Sequence, residues 1–304
     1  MKILVTGADG MLGSALCPEL ARRGHEVRPT DRRPLAPGTH PLDVCDAEAV
    51  SRLIAAAAPD WVMHLAAETD VDRCEREPET AYRTNAAGTE HVVRACRQAG
   101  ARLVYISTAG VFDGQKPSPY HEGDVPNPIN VYGRSKLAGE TAVRQYEGVS
   151  LTVRAGWMVG GLERDKKFVW KILQRLERDE AVPVVTDKIG SLTFTEDLSR
   201  GLAALIETRH TGLFHMANRG VCSRYDIACK LVDYLGRQGV VIQPVTSEAF
   251  PLPAPRSPSE AMENRRLDEL GLDLMPSWEE ALRVYVEHYR QLAGRTQPAA
   301  PVKE

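Results

Sequence analysis

Apolar positions in the first half of the chain alternate between two spacings. "KILVT" (2–6), "HEVRPTD" (25–31), "DWVMHLAA" (60–67), "RLVYIST" (102–108) and "SLTVRAG" (150–156) are short β-rich runs and read as strands. The segments between them repeat with a helical period. In "MLGSALCPELARRG" the apolar positions 11, 12, 15, 16 and 20 line one face, and Gly24 is the stop. "DAEAVSRLIAAAA" opens on Asp46 as N-cap. "PETAYRTNAAGTEHVVRACRQAG" reads as one long helix from Pro78 to Gly100. "NVYGRSKLAGE" (130–140) is helical again. Strands alternating with helices predict parallel strands joined by right-handed crossovers, hence an α/β fold with a doubly wound parallel (Rossmann) sheet.

The second half is less regular. "FVWKILQRLER", "TEDLSRGLAALIE" and "SRYDIACKLVDYLG" predict helices, the last with Ser223 as N-cap and Gly236 as stop. "AVPVVTD", "GLFHMAN" and "VVIQPVT" predict strands. A loop with prolines at 251, 253, 255 and 258 precedes the closing helices, and Ser277 with Glu280 forms a capping box for the last one. The expected organisation is a dinucleotide-binding domain over 1–155, taking in about 187–217, and a smaller C-terminal lobe over 156–186 and 218–292. Residues 293–304 are expected to form a disordered tail.

Composition narrows the function classes. The 304 residues are 43% hydrophobic and 26% charged, with a net charge of −3 and no long block of one sign. This is an ordinary folded protein without the basic footprint of a nucleic-acid binder. No apolar run is long enough to cross a bilayer, and the opening "MKILVTG" reads as a strand rather than a signal peptide. Six cysteines show neither C-x-x-C spacing nor a metal pattern with histidine. The chain therefore reads as cytoplasmic, with reduced thiols, no structural metal, no membrane and no nucleic acid.

"VTGADGMLGSAL" sets Gly7, Gly10 and Gly13 between the first strand and the first helix, where a dinucleotide loop must sit. Gly7 suits the tight turn, Gly10 the approach of backbone to pyrophosphate, and Gly13 close helix–strand packing. The helix begins at Met11 and Leu12, whose end offers free N–H groups and a positive dipole to phosphates. Asp31 ends the second strand, placed to bind the adenosine ribose as in NAD sites. Arg32 and Arg33 follow, and either can grip a 2′-phosphate as in NADP sites. The residues leave NADH and NADPH both open. Asp43 and Val44 follow the next extended stretch, at the level of an adenine contact.

Tyr132 and Lys136 in "NVYGRSKLAGE" stand one helical turn apart on one face. Taken alone the pair reads equally as surface decoration. With the glycine loop it resembles the extended short-chain dehydrogenase/reductase family, in which G-x-x-G-x-x-G is paired with Y-x-x-x-K. The stretch "YISTAGVFDG…YHEGDVPNPINVYGRSKLAGE" is similar to blocks of the dTDP-4-dehydrorhamnose reductase branch, as are "HLAAETDVDRCEREPE", "RAGWMVGG" and "GLFHMANRGVCSRYDIA". The resemblance covers nearly the whole chain. It implies hydride transfer from NADPH or NADH to the C4 ketone of a nucleotide-linked 4-keto-6-deoxy sugar. Tyr132 would give the proton, its pKa lowered by neighbouring positive charge from the usual value near 10. Lys136 would hold the nicotinamide ribose. Thr108, 24 residues before Tyr132, would hold the ketone oxygen, with Ser107 as the neighbouring candidate. The resemblance also implies cofactor contacts at Leu65, Ala66 and Ala67, a structural or active-site role for Asn85, and sugar contacts at Ala109 and Trp157.

Three blocks depart from the branch: "STAGVF" for S-T-D-Y-V-F, "GSLT" for G-x-P-T, and "RSPSEAM" for R-P-x-N-S-x-L. All three fall on the substrate side and predict a pocket that reads sugar hydroxyls poorly. Two other readings stay open at this stage. One is a nucleotide-sugar epimerase that retains its NAD. The other is a non-catalytic regulatory subunit resembling the β subunit of methionine adenosyltransferase. A homodimer is one assembly the sequence leaves open.

Overall fold

The structure, a computed structural model, describes residues 1–165, 167–178 and 181–296. In the first part the elements run β1 (Lys2–Thr6), α1 (Met11–Arg22), β2 (Glu26–Asp31), β3 (His40–Pro41), α2 (Ala47–Ala57), β4 (Trp61–His64), α3 (Val71–Arg76), α4 (Pro78–Tyr82), α5 (Gly88–Ala99), β5 (Arg102–Thr108), α6 (Val131–Arg144) and β6 (Ser150–Ala155). Then follow β7 (Trp157–Val159), α7 (Phe168–Leu176), β8 (Ala181–Val185), β9 (Ile189–Gly190), β10 (Leu192–Phe194), α8 (Thr195–Ile206), β11 (Gly212–His215), β12 (Cys222–Ser223), α9 (Arg224–Leu235), β13 (Val241–Val245), β14 (Ser259–Glu260), α10 (Arg265–Glu269) and α11 (Trp278–Thr296).

Seven strands form one sheet in the order β11-β6-β5-β4-β1-β2-β3, and every neighbouring pair is parallel. Side chains alternate across it, as strand geometry requires. Ile3, Val5, Met63, Val104 and Val153 face α1 and α8, meeting Leu12, Leu16, Leu20, Leu198, Leu202 and Leu205. Leu4, Val62, Leu103 and Tyr105 face the other way, onto Val50, Ile54, Val92 and Cys96 of α2 and α5. A separate core joins α7, β8, α9 and α11 through Ile172, Leu173, Val182, Val184, Ile227, Leu231, Leu282 and Val286. Three small sheets, β7 with β10, β12-β9-β14 and β8 with β13, belong to this part among the described residues. None of these short strands except those pairing β8 with β13 carries a legible period.

Local signals gave correct ends. Asp46 accepts from the Glu48 and Ala49 amides, and Ser223 caps α9 in a reciprocal box with Asp226. The Ser277 and Glu280 side chains and amides pair likewise. Gly100 and Gly236 end their helices in the left-handed conformation. The predicted helix from Pro78 to Gly100 differs. Between α4 and α5 the chain widens into a π-helical turn at Arg83–Ala87, a device that admits one extra residue and re-aims a side chain. That side chain is Asn85. The expected disordered tail begins too early, since α11 runs to Thr296, and its remainder, 297–304, lies outside the described residues. Among the described residues no helix is long and apolar enough to cross a membrane, and no group of three or more His, Cys, Asp or Glu side chains could hold a metal ion.

Candidate active site

The site is built where β1, β4, β5 and β6 end, the edge of an open parallel sheet where ligands bind. Gly7 leaves β1 with φ +69°, and a Cβ there would stand 2.8 Å from the Ala66 nitrogen. Only glycine satisfies both conditions. A Cβ on Gly13 would stand 2.5 Å from Ala8 Cα, so α1 packs directly on the loop. On Gly10 it would meet only the Gly7 carbonyl, at 3.2 Å, and otherwise open space. No side chain caps α1 at Gly10. A bare helix N-terminus over an open cradle fits a pyrophosphate. Met11 is half-buried and Leu12 is buried beneath the loop.

Asp31 ends β2 and is half-buried. Its two oxygens accept from the backbone N–H groups of Asp9 (3.2 Å) and Arg33 (3.0 Å). The carboxylate is therefore already oriented, with lone pairs left for a ribose. Asp9, which the motif reading passed over, accepts from the Leu35 amide (2.7 Å) and the Thr39 hydroxyl (3.3 Å), drawing residues 35–39 onto the glycine loop. Arg32 is exposed beside Asp31. Asp43 accepts from the Cys45 amide at 2.9 Å, and Val44 is buried, its carbonyl bonded to His91 at 2.9 Å.

Leu65, Ala66 and Ala67 leave β4 half-buried at the same edge. A buried polar chain fixes them. The Ala66 amide donates to Thr6 Oγ1 (3.2 Å), which meets His64 Nδ1 (2.8 Å). His64 Nε2 meets Thr89 Oγ1 (3.1 Å), which donates to the Asn85 carbonyl (2.8 Å). Since Thr89 gives its proton away, His64 must donate from Nε2 and accept at Nδ1. Burial, and then the charge of Lys136, push the His64 pKa down to about 3, so the ring is neutral. Asn85 exchanges bonds with the Glu68 backbone (2.8 and 3.0 Å) and donates to Ser135 Oγ (2.9 Å). The π turn thus ties the cofactor loop to the underside of α6.

Ser107 and Thr108 face opposite ways, as alternation demands. Ser107 is buried and donates to Glu140 at 2.5 Å. Thr108 accepts from the Gly110 amide (3.1 Å), and its hydroxyl faces the Tyr132 phenol. Lys136 is 3% exposed, with its ammonium 4.1 Å from the centre of the Tyr105 ring. Burial lowers its pKa to about 7, against a smaller upward pull from Glu140. The expectation of an acidified phenol is corrected. Burial dominates and pushes Tyr132 up to about 12; Thr108 draws it down, while Glu260 and Cys74 add to the rise. A phenol that keeps its proton is in the form a proton donor needs. The ammonium, buried with no carboxylate within 4.0 Å among the described residues, fits a site that receives hydroxyl acceptors from a ribose.

On the substrate side two expectations change. Ala109 is 1% exposed and packs with Val111, Phe112 and Met262. Its neighbour Gly110 does lie beside the phenol, where a Cβ would stand 3.6 Å from Tyr132. Trp157 is half-buried and donates from Nε1 to Glu260 at 2.6 Å. Its ring carries the Arg224 guanidinium at 4.4 Å and rests close on Gly190, where a Cβ would meet it at 2.6 Å. The indole face expected to pack on a sugar is thus partly taken. Burial lowers the Arg224 pKa to about 10, while Glu260 favours its charge.

Sequence reading missed Glu140, Arg154, Asn130, Arg224 and Glu260. The Glu140 carboxylate receives the Arg154 guanidinium in two bonds, 2.8 and 2.7 Å, both residues being buried. An arginine inside the apolar run "SLTVRAG" was the available signal, because a charge there requires a buried partner.

The family model described as "RmlD substrate binding domain" matches residues 1–291. A dTDP-4-dehydrorhamnose reductase of Mycolicibacterium smegmatis is 36% identical over 284 residues, 93% of this chain and 84% of that protein. The crystal structure of a dTDP-4-dehydrorhamnose reductase ortholog from Clostridium acetobutylicum superposes with a TM-score of 0.89 at 34% identity, covering 95% of this chain and all of that one (100%). That of the Bacillus anthracis reductase, in complex with NADP, superposes with a TM-score of 0.87 at 36% identity, covering 94% and 99%. With the glycine cradle and the Thr108, Tyr132 and Lys136 cluster at one edge of the sheet, this chain belongs to the RmlD substrate binding domain family, the dTDP-4-dehydrorhamnose reductase-like branch of the extended short-chain dehydrogenases/reductases.

Proposed function

We propose that this protein is an NAD(P)H-dependent reductase that converts the C4 ketone of a dTDP-linked 4-keto-6-deoxyhexose to an alcohol. The bound dinucleotide supplies the hydride. Gly7, Gly10, Met11, Leu12 and Gly13 hold its pyrophosphate, Asp31 its adenosine ribose, and Asp43, Val44 and residues 65–67 flank it. Arg32 stands ready for a 2′-phosphate. Lys136 donates hydrogen bonds to the nicotinamide ribose. Thr108 orients the ketone oxygen, and Tyr132 passes its phenolic proton to that oxygen as the carbon receives the hydride. A cytoplasmic location is part of this reading.

The observation that carries it is the phenol of Tyr132 facing the Thr108 hydroxyl, one turn from the buried side chain of Lys136. The test is a panel of nucleotide-linked 4-keto sugars with NADPH and NADH, following cofactor oxidation. We expect net oxidation with the dTDP-linked sugars. Tyr132→Phe should lower turnover by about 10²- to 10⁴-fold while cofactor affinity holds. Product without net oxidation would mean an epimerase. Tight cofactor binding with no turnover on any sugar would mean a regulatory subunit.

A further inference from the structure

After β13 the chain turns back from the second lobe and lies across the first turn of α6 before ending in β14. This strap is anchored at several points. The Ala254 amide donates to Asp72 (3.2 Å), and Arg256 pairs with the same carboxylate (3.0 Å). Lys188 donates to the Arg256 carbonyl (3.1 Å), and Glu260 accepts from Trp157 (2.6 Å). Within the strap, Ala254 and Ser257 are buried.

Asn130 lies two residues before Tyr132 and is 4% exposed. One end of its amide, Oδ1, accepts from the Gly133 N–H at 2.8 Å and caps α6. The other end, Nδ2, donates to the Pro255 carbonyl at 3.0 Å. The partners settle the orientation of the amide, because an N–H faces one end and a carbonyl the other. The next free N–H of the helix, that of Val131, is held by Glu75 at 2.9 Å. Gly133 in turn sits directly against the Gly110 carbonyl and Pro128. The turn that carries Tyr132 is therefore pinned from three sides, and one of them is the strap. Capping alone does not call for asparagine, since serine and aspartate cap as well. Only the bond to Pro255 needs the amide's donor end.

We propose that Asn130 is a positioning residue that fastens the strap of the substrate lobe to the first turn of the catalytic helix and so sets the stance of Tyr132. This rests on the reading of Tyr132 as proton donor. A phenol displaced by a fraction of an ångström transfers its proton less well, so the loss should appear in kcat.

Two variants keep the cap and remove the donor. N130D retains an acceptor for Gly133 and sets a carboxylate against the Pro255 carbonyl. N130S retains a shorter acceptor without added charge. N130S should melt within a few degrees of the parent, and N130D lower, because its carboxylate is buried against a carbonyl. Both should lose about tenfold in kcat with NADPH affinity unchanged, and amide exchange over 254–260 should quicken. In a double-mutant cycle with D72A, which loosens the same strap, the two losses should combine to less than their product. Parental kcat in both single variants, or losses with D72A that multiply independently, would overturn the inference. Tyr132→Phe run beside them separates the two readings. If Tyr132→Phe keeps full turnover, the proton-donor reading has failed. If it loses turnover while N130D and N130S do not, only the role of Asn130 has.

Discussion

Lys136 shows at the scale of one residue how burial sets chemistry. Free lysine titrates near 10.4, and burial brings this one to about 7. Between about pH 7 and 10 the unfolded chain binds one proton more than the folded chain, so this group makes stability rise with pH across that window, and its penalty is complete below pH 7. Ribose hydroxyls would solvate the charged form and raise the pKa again. Cofactor binding above pH 7 should then take up a proton. The Kd for NADPH should weaken with pH there, by up to about tenfold per unit, and Lys136→Met should abolish the slope. Titration calorimetry from pH 6 to 9 checks it; a flat profile in the parent protein would mean that Lys136 does not meet the cofactor. Position was legible at this scale and proton affinity was not. The Y-x-x-x-K spacing set both groups on one face, but the direction of the Tyr132 shift depended on how much protein surrounds the phenol.

At the scale of the element, helix ends were legible because a cap is a local bargain between one side chain and nearby amides, as at Asp46 and Ser223. The π turn at Arg83–Ala87 was not, because its cause is distant: Asn85 meets Glu68 and Ser135, residues on other segments. The Arg154–Glu140 pair is of the same kind. It joins β6 to α6 behind Ser107 and also carries the Phe112 ring, 5.1 Å from the guanidinium. Arg154→Ala would strand the Glu140 carboxylate in the core. We expect a loss of about 3 to 5 kcal/mol in urea unfolding. A loss under about 1 kcal/mol would show that Glu140 finds water or another partner.

For the whole molecule, the chain crosses between its two cores several times. The sheet is completed by β11 and covered by α8, both encoded after the second lobe has begun. A fragment ending at residue 155 would expose the α1 side of the sheet that Leu198, Leu202, Leu205 and Ile206 cover. We expect that fragment to be unfolded or aggregated by circular dichroism. The full chain should unfold in one transition seen alike by circular dichroism and tryptophan fluorescence. A soluble, cooperatively melting fragment would mean that the first part is an independent domain.

The sequence alone determined the alternation of strands and helices, the glycine loop, the Tyr132–Lys136 face and most helix ends, because each depends on residues within a turn or two of one another. Tertiary structure alone decided which of Ser107 and Thr108 meets the phenol, that Ala109 is buried, that Arg224 lies on Trp157, and that Asn130 reaches Pro255. These depend on segments far apart in the chain, whose meeting is set by packing. The same burial decides which protons the site keeps, since desolvation is a property of the surroundings and not of the residue.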